Sequence, residues 1–345
     1  MIAATRAAAG VAPSHVARAD VAEVVDRTAE LWRDLRGARV LLTGATGFFG
    51  WWLLATLAEA DRRLALGVRA VAVTRDPDRC RARTPEVTTW PVELVGADVR
   101  RPLPVTGMFD AVVCGAASSS AATGAATPDE TAETIVAGAA HTLGAAAPSG
   151  AVPFLCISSG AVYGPATAPV AEDHPRDVPA SPYAQAKRAA EVLCTGGAGA
   201  VVARCFAFVG PHLPLDQHFA IGNFLADAAA GRAVEVAGDG TTVRSWMHTS
   251  DLAVWLWTLL LRGERGRAYN VGSDVACSIA DAAALVARLA PTPVPVVVHG
   301  RAASPPGAGS YYVPSTARAR HELGLEMAVP LDDALVRTLA WVRGR

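Results

Sequence analysis

Aromatic residues are scarce in this chain, at 6% of 345 positions, and charged residues make up only 18%. Lys and Arg total 31 against 32 Asp and Glu, a net charge of −1. There is no basic excess of the kind that tracks a phosphate backbone, so a nucleic-acid partner is not expected. A composition that is 51% hydrophobic and poor in charge also excludes a disordered, solvating chain. The six cysteines, Cys80, Cys114, Cys156, Cys194, Cys205 and Cys277, form no CxxC pair. Several lie in apolar runs where a thiol acts as a small hydrophobe, so neither a disulfide framework nor a metal site is expected. The longest greasy run, 253–261, falls far short of the ~18–20 residues of a membrane span. Residues 1–19 are Ala-rich but interrupted by Arg6, Pro13, His15 and Arg18, unlike a secretory signal. The chain reads as soluble and cytoplasmic, with no membrane partner.

What is abundant is small and apolar. Such residues suit helices lying close on a parallel sheet. The length predicts roughly two domains, burying about three quarters of the extended surface without disulfide staples. Asp20 is placed to cap a helix running to about Leu35, with Val21, Val24, Val25, Leu31 and Trp32 on its apolar face and Gly37 ending it. Strands are predicted at 38–43, 68–73, 92–97, 110–115, 152–158 and 200–206. Helices are predicted at 48–59, 129–146 and 182–193. This alternation is that of a doubly wound α/β sheet. Beyond residue 207, short strands at 233–237, 268–271 and 294–298 mix with helices at 219–230, 252–261, 279–289 and 331–342. The expected division is an N-terminal helical extension (1–37), a cofactor domain (38–206, with 241–262 packing back onto it) and a smaller substrate lobe (mainly 207–345).

Between the first strand and first helix of the sheet lies Thr43-Gly44-Ala-Thr46-Gly47-Phe48-Phe49-Gly50. Glycines at these spacings allow a tight turn, close backbone approach to a pyrophosphate and close helix–sheet packing. The helix N-terminus then offers free N–H groups to the phosphates. An acidic residue ending the second strand would bond the ribose of NAD. This chain has Arg75 followed by Asp76, and Arg75 suits the 2′-phosphate of NADP. Asp98, after the third strand, is placed to accept from the adenine amino group or to cap its own loop.

Tyr183 and Lys187 sit four residues apart on a helix begun by Ser181 and Pro182, which stacks them on one face. A free tyrosine, with a pKa near 10, is a poor base at neutral pH. A neighbouring ammonium favours the phenolate. The fifth strand ends in Ser158-Ser159, at the carboxyl edge where such sheets bind ligands.

At these residues the chain resembles the extended short-chain dehydrogenase/reductase family, in its NAD-dependent epimerase/dehydratase branch. The matching segments are TGATGFFG (43–50), GADV (96–99), AAS (116–118), SSGAVYG (158–164), YAQAK (183–187) and GDGTTVRSWMHTSDLA (238–253). The resemblance covers about 38–275 and implies a Rossmann-type domain with a smaller C-terminal lobe. It implies Ser159, Tyr183 and Lys187 as the catalytic set, with NAD(P) as cofactor. Gly44, Thr46, Gly47, Phe48, Phe49, Gly50, Arg75, Asp98, Val99, Ala116, Ala117 and Lys187 would contact the cofactor. Ser118, Ser158, Ser159, Tyr183, Asn223 and Arg244 would contact a nucleotide-diphosphate sugar. Arg244 resembles the arginine that grips the diphosphate, and a guanidinium fits phosphate oxygens bidentately. His248 is expected to pack, and Asp251 to cap a helix.

The chain departs from the branch in two places. Dehydratases of this branch carry an acidic pair after the catalytic Ser or Thr, where Gly160-Ala161 stands here. Decarboxylases usually carry Glu at the Ala161 position. Elimination needs an acid and a base, so both activities are disfavoured. The branch's Phe-Asn pair is Phe206-Ala207 here, with Asn223 a possible substitute for the missing amide. The expected activity is nucleotide-sugar 4-epimerisation, with an NADPH-dependent 4-ketoreductase as the alternative. A regulatory protein that kept the fold without catalysis is the rival from another class, and the retained Tyr183 and Lys187 argue against it. The branch often dimerises through helices equivalent to 129–146 and 182–193, so a homodimer is expected.

Overall fold

The computed structural model describes residues 13–115, 127–176, 181–215, 219–300 and 311–344. Its centre is a seven-stranded sheet in which every neighbouring pair is parallel. The strands are β1 (Arg39–Thr43), β2 (Arg69–Thr74), β3 (Val92–Gly96), β4 (Ala111–Cys114), β5 (Phe154–Ser159), β6 (Val201–Cys205) and, after four short strands described below, β11 (Ala268–Val271). Their spatial order is β11-β6-β5-β4-β1-β2-β3. Order reverses between β1 and β4, which leaves a crevice at the carboxyl ends of those strands. β4 and β5 are buried along their whole length, as expected for strands covered on both faces.

Alternating side chains send Val40 and Leu42 to one face and Leu41 to the other. The first face carries α1 (Pro13–Arg27), α2 (Phe48–Leu64) and α7 (Thr249–Arg262), with Trp32, Trp52, Trp255 and Trp257 fully buried. The second carries α4 (Pro128–Ala146) and α5 (Pro182–Ala198). α3 (Pro77–Arg83) follows β2. The second lobe has its own core, formed by α6 (Ala220–Ala229), α8 (Ile279–Leu289), α10 (Leu331–Arg343) and β8 (Val234–Val236). Short strands complete it: β7 (Phe208–Val209) pairs with β10 (Met247–His248), and β13 (Val296–Val298) with β8. β9 (Val243–Arg244) lies between β12 (Cys277–Ser278) and β14 (Tyr311–Tyr312). α9 (Ala317–Leu323) packs against β11. The stretch assigned from sequence mainly to the second lobe therefore supplies a strand to the main sheet, and the lobes interleave.

Two sequence expectations are corrected. The N-terminal helix begins at Pro13, not at an Asp20 cap, and ends at Arg27; a separate 3₁₀ turn spans Trp32–Leu35. Asp20 lies inside the helix, buried, with Oδ1 accepting from Arg337 Nη1 at 2.7 Å. At the helix end, Thr28 bonds back to the Val24 carbonyl and the Trp32 indole to that of Val25, which turns the chain. Likewise Asp251 is not the cap of α7. It is fully buried, accepts from the amides of Ala328 and Val329, and pairs with Arg27 at 2.7 Å. His248 is the cap: its Nδ1 accepts from Ser250 N. Thus α1, α7 and the segment leading to α10 are tied by buried charge.

Burial, with Arg337 and Arg27 nearby, pushes the His248 imidazole down to about 3. An unfolded histidine titrates near 6.5. Its contribution to stability is therefore present above pH ~6.5 and lost as pH falls toward 3. Burial pushes Asp20 up to about 6, so that group works in the opposite sense between about pH 6 and 4. His248→Asn keeps a good cap while removing the titration. Between pH 6.5 and 5, urea denaturation should show the variant's deficit against wild type shrinking by about 2 kcal/mol. A pH-independent deficit would show that this imidazole titrates normally in the folded chain.

Candidate active site

The cleft lies across the carboxyl ends of the sheet strands and under the second lobe, with a volume of about 2900 Å³. It begins at the glycine loop. Gly44 has φ +71, which an L side chain rarely adopts. A Cβ on Gly50 would fall inside the Ala45 backbone, so only glycine lets α2 press onto the loop. Gly47 caps α2 with no side-chain acceptor, leaving the first amides of the helix to a ligand. The Thr46 and Thr74 hydroxyls meet at 3.3 Å, joining the loop to the end of β2. Phe48 and Phe49 line the cleft, and Phe49 stands edge-on to Phe208 with ring centroids 5.0 Å apart.

Arg75 is exposed on the cleft wall. Asp76 spends its Oδ1 on the Arg79 amide as the cap of α3. Asp98 is gripped by Arg100 Nε and Nη2, which hold its carboxyl down at about 2. Val99 is buried against the second face, and its carbonyl meets His141 Nδ1 at 2.9 Å. Ala116, Ala117 and Ser118 lie outside the described residues.

α5 brings Tyr183 and Lys187 to the same cleft as Ser159. Lys187 Nζ is 6.0 Å from the Tyr183 ring centroid and donates to the Ile157 carbonyl at 2.8 Å. It is 4% exposed and is the one lysine in the sequence; every other member of the Lys-plus-Arg total is arginine. Ser159 ends β5, and its Oγ accepts from Ala161 N at 3.2 Å. The hydroxyl of Ser158, by contrast, is committed below the cleft, donating to Glu191 Oε1 at 2.6 Å. Glu191 also accepts from Arg204 Nε and Nη2 at 3.0 and 2.9 Å, and from Arg176 at 2.9 Å. Arg204 Nη1 reaches the Tyr163 hydroxyl, which donates to Asn270 Oδ1. This buried network clamps α5 to β5, β6 and β11.

The second lobe contributes Arg244 and Asn223. Arg244 lies on β9 with no carboxylate pairing with it among the described residues, and burial lowers its guanidinium from the usual value. Asn223 lies in the first turn of α6, exposed on the cleft wall. Sequence reasoning missed Tyr312, whose ring lies 5.4 Å from the Arg244 guanidinium carbon and whose hydroxyl is 3.4 Å from Ser159 Oγ. The tandem Tyr311-Tyr312, in a chain with five tyrosines, was the available signal. No group of three or more metal-ligating side chains exists among the described residues, and none of their helices is long and apolar enough to cross a membrane.

A Rossmann sheet with this glycine loop, and a tyrosine–lysine pair facing a strand-end serine, defines an extended short-chain dehydrogenase/reductase. The chain belongs to the NAD dependent epimerase/dehydratase family, whose model matches residues 40–272. It is 29% identical over 195 residues to a dTDP-glucose 4,6-dehydratase of Streptomyces niveus, covering 55% of this chain and 57% of that protein. It is 27% identical over 317 residues to UDP-glucuronic acid decarboxylase 1 of Xenopus tropicalis, covering 88% and 72%. The chain thus spans somewhat more than half the length of the dehydratase relative. Among solved structures, RMD from Pseudomonas aeruginosa complexed with NADPH superposes with a TM-score of 0.68 at 26% identity, covering 89% and 99%. UDP-glucuronic acid 4-epimerase from Bacillus cereus, in complex with UDP-glucuronic acid and NAD, has the same fold, with a TM-score of 0.74 at 20% identity, covering 88% and 99%.

The site also explains Gly160. A Cβ there would stand 2.7 Å from the Phe206 ring, which stacks near Tyr163 and tilts on Tyr312 at 4.7 Å. Gly160→Ala should therefore cost about 1–3 kcal/mol through overpacking. Phe206→Ala in the same chain should recover much of that cost, giving a non-additive double-variant cycle in urea denaturation. Additive effects would mean that the two positions do not compete for space.

Proposed function

We propose that this chain is an NAD(P)-dependent 4-epimerase of a nucleotide-diphosphate sugar. The observation that carries the reading is one cleft lined by the glycine loop, by Ser159, Tyr183 and Lys187, and by Arg244. The cradle over Gly44–Gly50 and the open N-terminus of α2 fit a dinucleotide pyrophosphate. NAD(P), when bound there, supplies reversible hydride transfer.

The chain's own groups supply the rest. Ser159 Oγ holds the reacting sugar oxygen by hydrogen bonding, and the Tyr183 phenol exchanges a proton with it. Lys187, fixed by the Ile157 carbonyl, stabilises the phenolate and would bond the nicotinamide ribose of a bound cofactor. Arg244 and Asn223 hold the diphosphate and hand the sugar to these groups. Inversion at C4 needs the hydroxyl oxidised, the 4-keto sugar turned over in the cleft and hydride returned to its opposite face, with the same tyrosine taking and returning the proton. Elimination of water needs an acid and base beside it. Here the Gly160 position is filled by the Phe206 ring and Ala161 has no titratable group. The dehydratase and decarboxylase names of the sequence relatives support the substrate class more than the reaction.

A 4-ketoreductase is favoured by one observation: the acidic residue after β2, Asp76, is engaged in capping α3, while Arg75 stands exposed on the cleft wall, where a guanidinium would suit the 2′-phosphate of NADP. Mass spectrometry of the cofactor retained through gentle purification, followed by turnover of UDP- and dTDP-hexoses without added cofactor, separates the two. Bound NAD with epimer formed supports the epimerase. Stoichiometric NADPH consumption with a 4-keto sugar nucleotide, and no epimer, would overturn it. In either case Tyr183→Phe should lower kcat by about 10²–10⁴-fold with cofactor affinity nearly unchanged. Undiminished turnover would remove Tyr183 from the chemistry. The cytoplasmic location and the homodimer through α4 and α5 are part of the same proposal.

A further inference from the structure

The chain is poor in aromatics, yet it places four of them in five positions: Phe48, Phe49, Trp51 and Trp52. They lie at the start of α2, the end whose first amides are left to a ligand. Their side chains reach the second lobe. Phe48 packs on the cores of both lobes. The Trp52 indole donates to the Pro211 carbonyl at 3.1 Å. The Trp51 ring stacks on the His212 imidazole, with centroids 3.6 Å apart and planes 23° from parallel. The same imidazole meets the Trp341 ring of α10 at 5.1 Å.

His212 holds a left-handed backbone, φ +70, one of two non-glycine residues with positive φ among those described. An L side chain adopts that conformation at a cost, so it persists where surrounding contacts over-determine it. Here the two tryptophans hold the ring, and Leu213 N closes the turn on the Gly210 carbonyl. Leu213 itself belongs to the core of the second lobe. Next along the loop, the Pro214 carbonyl lies so close to Gly222 that a Cβ there would stand 2.7 Å away. Gly222 precedes Asn223 in the first turn of α6. Contact therefore runs unbroken from the cofactor end of α2, through Trp51 and His212, to the helix turn that carries Asn223.

We infer that Trp51 and His212 are positioning residues that couple the two halves of the cleft. A dinucleotide on the α2 amides fixes the turn from which Trp51 stacks. The stack fixes the 210–215 loop, and the loop sets Asn223 for the diphosphate. The second ligand meets a path that the first has already ordered, so the two bind cooperatively. The coupling is reciprocal: the nucleotide tightens the cofactor by the factor with which the cofactor tightens the nucleotide. This rests on the cofactor and diphosphate readings proposed above.

The test measures that factor. Calorimetric Kd values for NADH and NADPH are taken with and without saturating UDP or dTDP, on wild type, His212→Gly and Trp51→Ala. Glycine accepts a positive φ freely, so His212→Gly removes the ring and relieves the backbone. Trp51→Ala removes the same stack from the other side. In wild type the nucleotide should tighten the better-bound cofactor about fivefold or more. In each variant that keeps the native circular dichroism, that gain should fall below about twofold, with cofactor affinity in the absence of nucleotide within about twofold of wild type. Equal weakening of cofactor with and without nucleotide would overturn the inference, because a loosened fold does that. A wild-type factor of about one, or a folded variant that keeps the full gain, would overturn it too. Hydrogen exchange on wild type needs no variant: cofactor alone should slow exchange at the amides of 212–215 and 220–224, and no change there would count against the path. Wild type that binds cofactor but neither nucleotide would instead defeat the substrate reading itself, and the inference with it.

Discussion

Everything at the site depends on where α5 sits, and α5 is held by the buried ion pair between Glu191 and Arg204. Glu191 lies one helical turn beyond Lys187, so its fit against β6 sets the rotation and height of the helix. That setting presents Lys187 to the Ile157 carbonyl and Tyr183 to the cleft. A buried pair of this kind contributes little net stability relative to a packed apolar core, but losing one partner costs about 3–5 kcal/mol. Its value here is geometric. Arg204 divides its donors between Glu191, Tyr163 and the Glu172 carbonyl, and Tyr163 passes the connection to Asn270 on β11. The outermost strand of the sheet and the helix bearing the tyrosine–lysine pair are thereby parts of one hydrogen-bonded unit.

Ser158 and Ser159 show how finely this unit divides labour. Adjacent residues on a strand face opposite sides. Ser158 therefore turns its hydroxyl down into the Glu191 network, and Ser159 turns its own toward Tyr312 and the cleft. The support beneath the cleft and the lining of the cleft are one residue apart.

The parallel sheet, the glycine loop, the Tyr183–Lys187 helix and the strand-end serines were legible because each is a local pattern: an apolar run, a turn, a cap, a four-residue spacing. The errors fell where a distant partner overrode a local preference. Asp20 looks like a cap until Arg337 arrives from α10, and Asp251 until the amides of Ala328 and Val329 do. Tyr312 was invisible as a site residue because its neighbour Ser159 lies 153 positions away and the short strand that carries it has no periodicity to read. The 268–271 run reads locally as a strand, but which run returns to the main sheet as its seventh member is decided by pairing with β6, a property of the whole chain.

The solitary lysine has a practical consequence. An amine-reactive label on this chain can find only the α-amino group and Lys187, and Lys187 is nearly sealed against the end of β5. Amine-directed conjugation of the folded chain therefore has almost no side-chain target. A second label entering the intact protein reports opening of the cleft, with no background from other amines. The chain carries its own single-site footprinting probe at the place where a ligand would protect it.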